Sequence, residues 1–147
     1  MKAIQDARRK MNNLRTVQEL YDAFGRKDDA RLRQLLAADV EWIQCAGFPG
    51  GARRHGVEEV LEKVFAGLHG EWRDWRVEID EYLDAGASIV ALGRYAGTHG
   101  QTGRSMEAVF AHVYDVKDGR VTRFRQFTDT VPLVEAARIR THAGAKK

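Results

Sequence analysis

Along the first part of the chain the apolar residues keep helical spacing. Val17, Leu20, Tyr21 and Phe24 fall at i, i+3, i+4 and i+7, one stripe of a helix, and Gly25 lies close to its end. Immediately before them Thr16-Val17-Gln18-Glu19 matches a capping box, in which hydroxyl and carboxylate each satisfy an orphan amide. The helix is therefore predicted to begin at Thr16. Asp28-Asp29 predicts the cap of a second, shorter helix carrying Leu32, Leu35 and Leu36, and Val40-Glu41-Trp42-Ile43 reads as a short strand. The glycine-rich stretch Gly47 to Gly56 reads as a loop, and Val57, Val60, Leu61, Val64, Phe65 and Leu68 predict a third amphipathic helix. From Trp75 the period changes. Trp75, Val77, Ile79 and Leu83 alternate largely with charged positions, Ala85-Gly86 can turn the chain, and a strand follows from Ser88 to Thr98. Two more strands lie on either side of Asp118-Gly119, and Val131 to Ile139 predicts a closing helix with Pro132 in its first turn. Helices first and a meander of strands after argue for α+β: helices packed on one face of a mostly antiparallel sheet.

Asp118-Gly119 is a two-residue hairpin signal, because a type I′ turn needs positive φ at both central positions. Counted back from that turn without interruption, Tyr114 faces Arg123, His112 faces Arg125, Phe110 faces Phe127 and Ala108 faces Asp129. One face then holds Phe110, His112, Tyr114, Arg123, Arg125, Phe127 and Asp129, and the other holds Val109, Ala111, Val113, Phe124, Gln126 and Thr128. A bulge in either strand would exchange the faces beyond it. The first set, ionisable groups among aromatic rings, has the character of a pocket lining. Each residue also has a structural reading: His112 as a half-buried, hydrogen-bonded histidine, and Asp129 as the cap of the helix near Val131.

Composition narrows the classes. A chain of 147 residues suits one core, here assigned to 16–140, with an extension over 1–15 and a disordered basic tail over 141–147. The net charge of +3 arises from 24 basic and 21 acidic residues spread along the chain. The densest basic runs are terminal, so nucleic acid is not the expected partner. No apolar run has the length of a membrane span or the form of a secretory signal, and the single cysteine, Cys45, has no partner for a disulfide. A cytoplasmic protein away from membranes is the expectation. His55, His69, His99, His112 and His142 show no metal-ligand spacing, so neither metal nor cofactor is expected.

The segments VQELYDAFGRKD, LLAADVEWIQ and VYDVKDGRVTRFRQFTD, in that order, resemble the SnoaL-like, ketosteroid-isomerase-related branch of the nuclear-transport-factor-2-like superfamily. The resemblance implies a cone-shaped barrel, a curved sheet wrapped around three helices with a deep apolar cavity, pairing as a homodimer through the outer sheet face. In ketosteroid isomerases a general-base aspartate follows the first strand; Gln44 stands there, and glutamine cannot abstract a proton. Their oxyanion tyrosine falls near Leu20, one position from Tyr21, and their second oxyanion acid at His112. Against limonene-epoxide-hydrolase-like members, Trp42 and Gln44 resemble the water-positioning pair, Arg94 the arginine and Asp129 one acid, while Ala96 replaces the other. SnoaL-type polyketide cyclases use an acid near Asp129.

Two functions are therefore weighed. In the first, His112 and Asp129, with Arg94 or Arg125 supplying positive charge, carry acid/base isomerisation, cyclisation or dehydration of a small apolar carbonyl or hydroxyl compound. Trp42, Gln44, Tyr21, Phe24, Phe110 and Phe127 would shape that cavity. In the second, the same cavity holds a hydrophobic metabolite or a protein partner without chemistry, its ionisable groups neutralised internally, Arg125 by Asp129 for instance. Glu107, off the pocket face, is expected at the subunit interface.

Overall fold

The structure is a computed structural model, and it describes residues 1–139; the basic tail expected over 141–147 lies outside the described residues. The order is α1 (Lys2–Arg26), α2 (Asp29–Leu35), β1 (Leu36–Ile43), β2 (Arg53–His55), α3 (Val57–Glu59), a π-helical stretch (Val60–Phe65), α4 (Ala66–Glu71), β3 (Trp72–Ala85), β4 (Ser88–His99), β5 (Ser105–Lys117), β6 (Arg120–Thr128) and α5 (Val131–Ala137). Six strands form one sheet in the order β2-β1-β6-β5-β4-β3. Every neighbouring pair is antiparallel except β1 with β6. The curved sheet wraps the helices of the first half, the α+β cone expected.

The predicted stripe of α1 is buried at Val17, Leu20, Ala23 and Phe24. The helix does not begin at Thr16, however. Residues 2–15 are rich in Ala, Lys, Arg, Gln and Met, which favour helix and contain no breaker, so the helix runs through the capping-box motif. Thr16 Oγ1 donates instead to the Asn12 carbonyl at 3.0 Å, and Glu19 is taken by Arg31. At the other end Lys27 adopts φ 58° and donates its N–H to the Ala23 and Phe24 carbonyls, closing the helix. The second helix has the predicted cap, with Asp28 accepting from the Arg31 amide at 3.1 Å. The third predicted helix is one run over 57–71 whose central turns are π-helical; they bury Val60, Leu61, Val64 and Phe65. The loop over 47–56 ends in an unforeseen edge strand, Arg53–His55, whose three polar residues carry no alternation to read.

Asp118 (φ 52°) and Gly119 (φ 77°) make the predicted turn, and Val116 faces Val121 as expected. One step further the register shifts. Asp115 faces Arg123, so Thr122 has no partner residue and its hydroxyl donates to the Asp115 carbonyl at 3.3 Å. Beyond this bulge Tyr114 faces Phe124, His112 faces Gln126 and Phe110 faces Thr128. The faces of β6 are therefore exchanged: Phe124 and Gln126 point into the core, and Arg123, Arg125, Phe127 and Asp129 point outward.

Among the described residues no helix is long and apolar enough to cross a membrane, and no group of three or more His, Cys, Asp or Glu could hold a metal ion.

Gly93 on β4 marks a close approach. A Cβ there would sit 2.1 Å from the Glu78 carbonyl oxygen of β3 and 3.0 Å from Cζ of Phe110, beside the bulge between Ile79 and Glu81. Both obstacles are fixed, one by the sheet and one by packing. Gly93→Ala is therefore expected to lower stability by about 2 kcal/mol or more, read as a reduced urea midpoint at unchanged m-value.

Candidate functional site

Inside the cone, α1, the helical run over 57–71 and the concave side of the sheet enclose a cavity. The space open to the centre of a water molecule is about 40 Å³, within about 430 Å³ of empty space that is partly open to solvent. Its wall is aromatic and aliphatic. The polar groups on it come from six elements: Tyr21 from α1, Gln44 just past β1, Trp75 from β3, Tyr95 from β4, His112 and Tyr114 from β5, and Gln126 from β6. Among the described residues no carboxylate, lysine or arginine lines it.

At its centre is His112, 4% exposed. The ring is stacked on Phe110 at 3.9 Å between centroids and meets Phe124 edge-on at 4.8 Å. Both nitrogens are occupied, Nδ1 by the Tyr21 hydroxyl at 2.7 Å and Nε2 by the Tyr95 hydroxyl. Burial holds the imidazole pKa well below its usual value, since no anion lies near to stabilise the cation. His112 is accordingly neutral near pH 7. Burial also raises the pKa of Tyr21, Tyr95 and Tyr114, so each hydroxyl keeps its proton. Gln126 Nε2 donates to the Tyr95 oxygen at 2.8 Å, and Gln126 Oε1 accepts the Cys45 amide at 3.2 Å. Trp42 lies flat on Phe124 at 3.9 Å, closing the β1 side. Trp75, also on the wall, has a buried Nε1–H with no partner.

Of the residues expected from the sequence, the structure brings together His112, Tyr21, Trp42 and Gln44 on the wall, with Phe110 packed behind His112. It separates the other four. Arg125 is 3.9 Å from Asp115 rather than paired with Asp129, and Phe127 is 55% exposed. Asp129 Oδ1 accepts the Val131 amide at 3.2 Å, the helix-start role. The bulge at Thr122 is the cause in all three cases. Arg94 was placed by resemblance, but the inward positions of β4 are 89, 91, 93 and 95, so its side chain points out to Asp80 (2.8 Å) and Glu78 (3.0 Å). Glu107 lies on the same outer face, 3.8 Å from Arg94. Two functional residues went unforeseen, Tyr95 and Gln126. Alternation along β4 groups Tyr95 with the buried Ile89 and Ala91, which was a usable signal; Gln126 was hidden by the bulge.

The profile of the SnoaL-like domain family matches residues 17–124. No curated protein matches the sequence. Among solved structures, a nuclear-transport-factor-2-like protein from Burkholderia thailandensis is 35% identical, with a TM-score of 0.80 over 85% of this chain and 96% of that one. A second such protein, of unknown function, from Burkholderia pseudomallei is 31% identical at a TM-score of 0.79, covering 87% and 98%. A protein of Jannaschia sp. assigned to the SnoaL-like polyketide cyclases shares the fold at 19% identity and a TM-score of 0.77, covering 89% and 94%. This chain belongs to the SnoaL-like domain family and has the nuclear-transport-factor-2-like fold.

Proposed function

We propose that the cavity takes a small, largely apolar carbonyl or hydroxyl compound and that Tyr21, His112 and Tyr95 carry acid/base chemistry on it, of the isomerase, cyclase or dehydratase kind. Family membership leaves several reactions open, so the site has to choose among them. The observation that carries the reading is a buried imidazole held between two tyrosine hydroxyls on the wall of a largely apolar cavity. Tyr21 donates to a ligand oxygen, and a proton it gives up there is replaced from one ring nitrogen while the other takes the proton of Tyr95; the negative charge then rests on Tyr95 Oη, to which Gln126 Nε2 donates at 2.8 Å. Gln44 and Trp42 orient the ligand from the β1 side. The chemistry needs no cofactor.

A second reading, holding of a hydrophobic ligand without reaction, is favoured by the absence of any carboxylate on the cavity wall, since no strong base is present. Under either reading the protein pairs with a second copy through the outer sheet face, where Val109 is 62% exposed and Phe127 55%.

Solvent-deuterium uptake at the carbon next to the carbonyl of cyclohexanone, followed by NMR, separates the two readings. Protein-dependent uptake that falls roughly 100-fold in Tyr21→Phe supports acid/base chemistry. Saturable binding with no uptake above buffer leaves the holding function.

Stability against pH tests the neutral histidine. The folded pKa of His112 is depressed, so below the unfolded value of about 6.5 the unfolded chain binds the extra proton. Stability is full above that pH and falls below it, by up to about 1.4 kcal/mol per pH unit. His69, also depressed by burial, acts in the same direction, so the difference between wild type and His112→Gln isolates His112. Equal slopes in the two proteins would contradict a neutral buried His112.

Phe127→Asp is expected to turn a dimer into a folded monomer by light scattering. A wild-type protein that is already monomeric would refute the pairing.

A further inference from the structure

The cavity's hydrogen bonds have a direction, and one residue outside the aromatic set determines it. The Cys45 backbone N–H is a donor only, so the Gln126 atom 3.2 Å from it is the carbonyl oxygen, and the amide nitrogen is the one turned to Tyr95. The Cys45 thiol, 3.5 Å from the same oxygen, agrees with that orientation. Tyr95 Oη therefore accepts from Gln126 Nε2 at 2.8 Å. Its own proton has one acceptor within reach, Nε2 of His112. An imidazole nitrogen that accepts is unprotonated, so the single ring proton of neutral His112 lies on Nδ1. Nδ1–H in turn donates to Tyr21 Oη at 2.7 Å. The proton of Tyr21 is left over for the neighbouring Tyr114 hydroxyl or for a ligand.

We infer that Gln126 is a positioning residue: anchored by the Cys45 amide, it fixes His112 as the Nδ1–H tautomer through Tyr95, so that the Tyr21 end of the cavity meets a ligand as a hydrogen-bond donor. With the opposite tautomer Tyr21 would spend its proton on Nδ1 and face the cavity with lone pairs. The direction set by Gln126 thus selects a ligand that presents an acceptor oxygen there, a carbonyl or an enolate, over one that presents a hydroxyl or ammonium donor. The Nε1–H of Trp75, buried without a partner among the described residues, is a second donor on the same wall. The inference deepens the proposed function, yet it concerns the ligand-free protein and is testable without any substrate.

The test is the imidazole nitrogen spectrum of the ¹⁵N-labelled, ligand-free chain, with His112 identified by its loss in His112→Gln. The expected result is a protonated Nδ1 and an unprotonated Nε2, unchanged between about pH 6 and 8 because the histidine is buried and neutral there. An Nε2–H tautomer in the wild type overturns the inference. Gln126→Glu supplies the second arm, because it keeps the size of the side chain and the acceptor for Cys45. Once the introduced carboxyl is ionised, as judged from its ¹³C shift, it accepts the Tyr95 proton, and Tyr95 must then accept from His112. The tautomer is expected to invert to Nε2–H as that carboxyl titrates; an ionised carboxylate beside an unchanged Nδ1–H tautomer overturns the positioning role. Failure of cyclohexanone to exchange deuterium would sink the proposed chemistry while leaving this spectrum as it is.

Discussion

A single unpaired residue in β6 organises the interior. Because Thr122 has no partner on β5, the inward positions of β6 after it are 124 and 126 rather than 123 and 125. Two arginines that a regular hairpin would aim into the core are turned to its outside, where Arg123 reaches Asp115 at 2.9 Å. In their place come a phenylalanine that stacks on Trp42 and a glutamine that satisfies both Tyr95 and the Cys45 amide. Burying a guanidinium without a paired anion costs several kcal/mol. The bulge removes that cost and gives the cavity its neutral wall.

Neutrality then governs the rest of the site. A buried imidazole needs a partner at each nitrogen, since an unmet donor or acceptor in a dry interior costs about 1–3 kcal/mol. Tyr21 and Tyr95 supply those partners from two elements distant in sequence, α1 and β4, so the histidine ties the helix to the sheet. The charges that the sequence holds in quantity are on the convex side, where Arg94 joins Glu78 and Asp80 and Arg123 joins Asp115. Solvent screens such pairs, and each contributes little to stability.

How much could be read beforehand follows from how local each signal is. The stripe of α1, the Asp28 cap, the third helix, the Asp118-Gly119 turn and the α+β order all depend on residues within a few positions of one another, and all are present. The start of α1 was missed because the capping-box residues at 16–19 are equally compatible with a helix interior, and good helix formers precede them. The edge strand at 53–55 was missed because three polar residues carry no period. The site was half legible. His112, Tyr21, Trp42 and Gln44, singled out from the sequence, line the cavity, whereas Arg125, Phe127 and Asp129 are turned outward together by one bulge, which leaves no mark in an alternating sequence such as VTRFRQF.

The cavity's size adds a last constraint on what enters it. A water molecule occupies about 30 Å³ of liquid, and with about 40 Å³ open to the centre of one, the cavity is narrow for a ring compound. The sheet side is held by continuous ladders from β3 to β6 and by the Gly93 contact with β3, and His112 is clamped there at both nitrogens. The opposite side is the run over 57–71, which contributes Val64, Phe65 and Leu68 and whose turns from Val60 to Phe65 lack the regular α-helical ladder. Apolar side chains on an irregular helix can shift without breaking a hydrogen bond, whereas any shift of the sheet breaks several. The helical wall is thus the less constrained side of the cavity, while its polar groups are held by the sheet and α1.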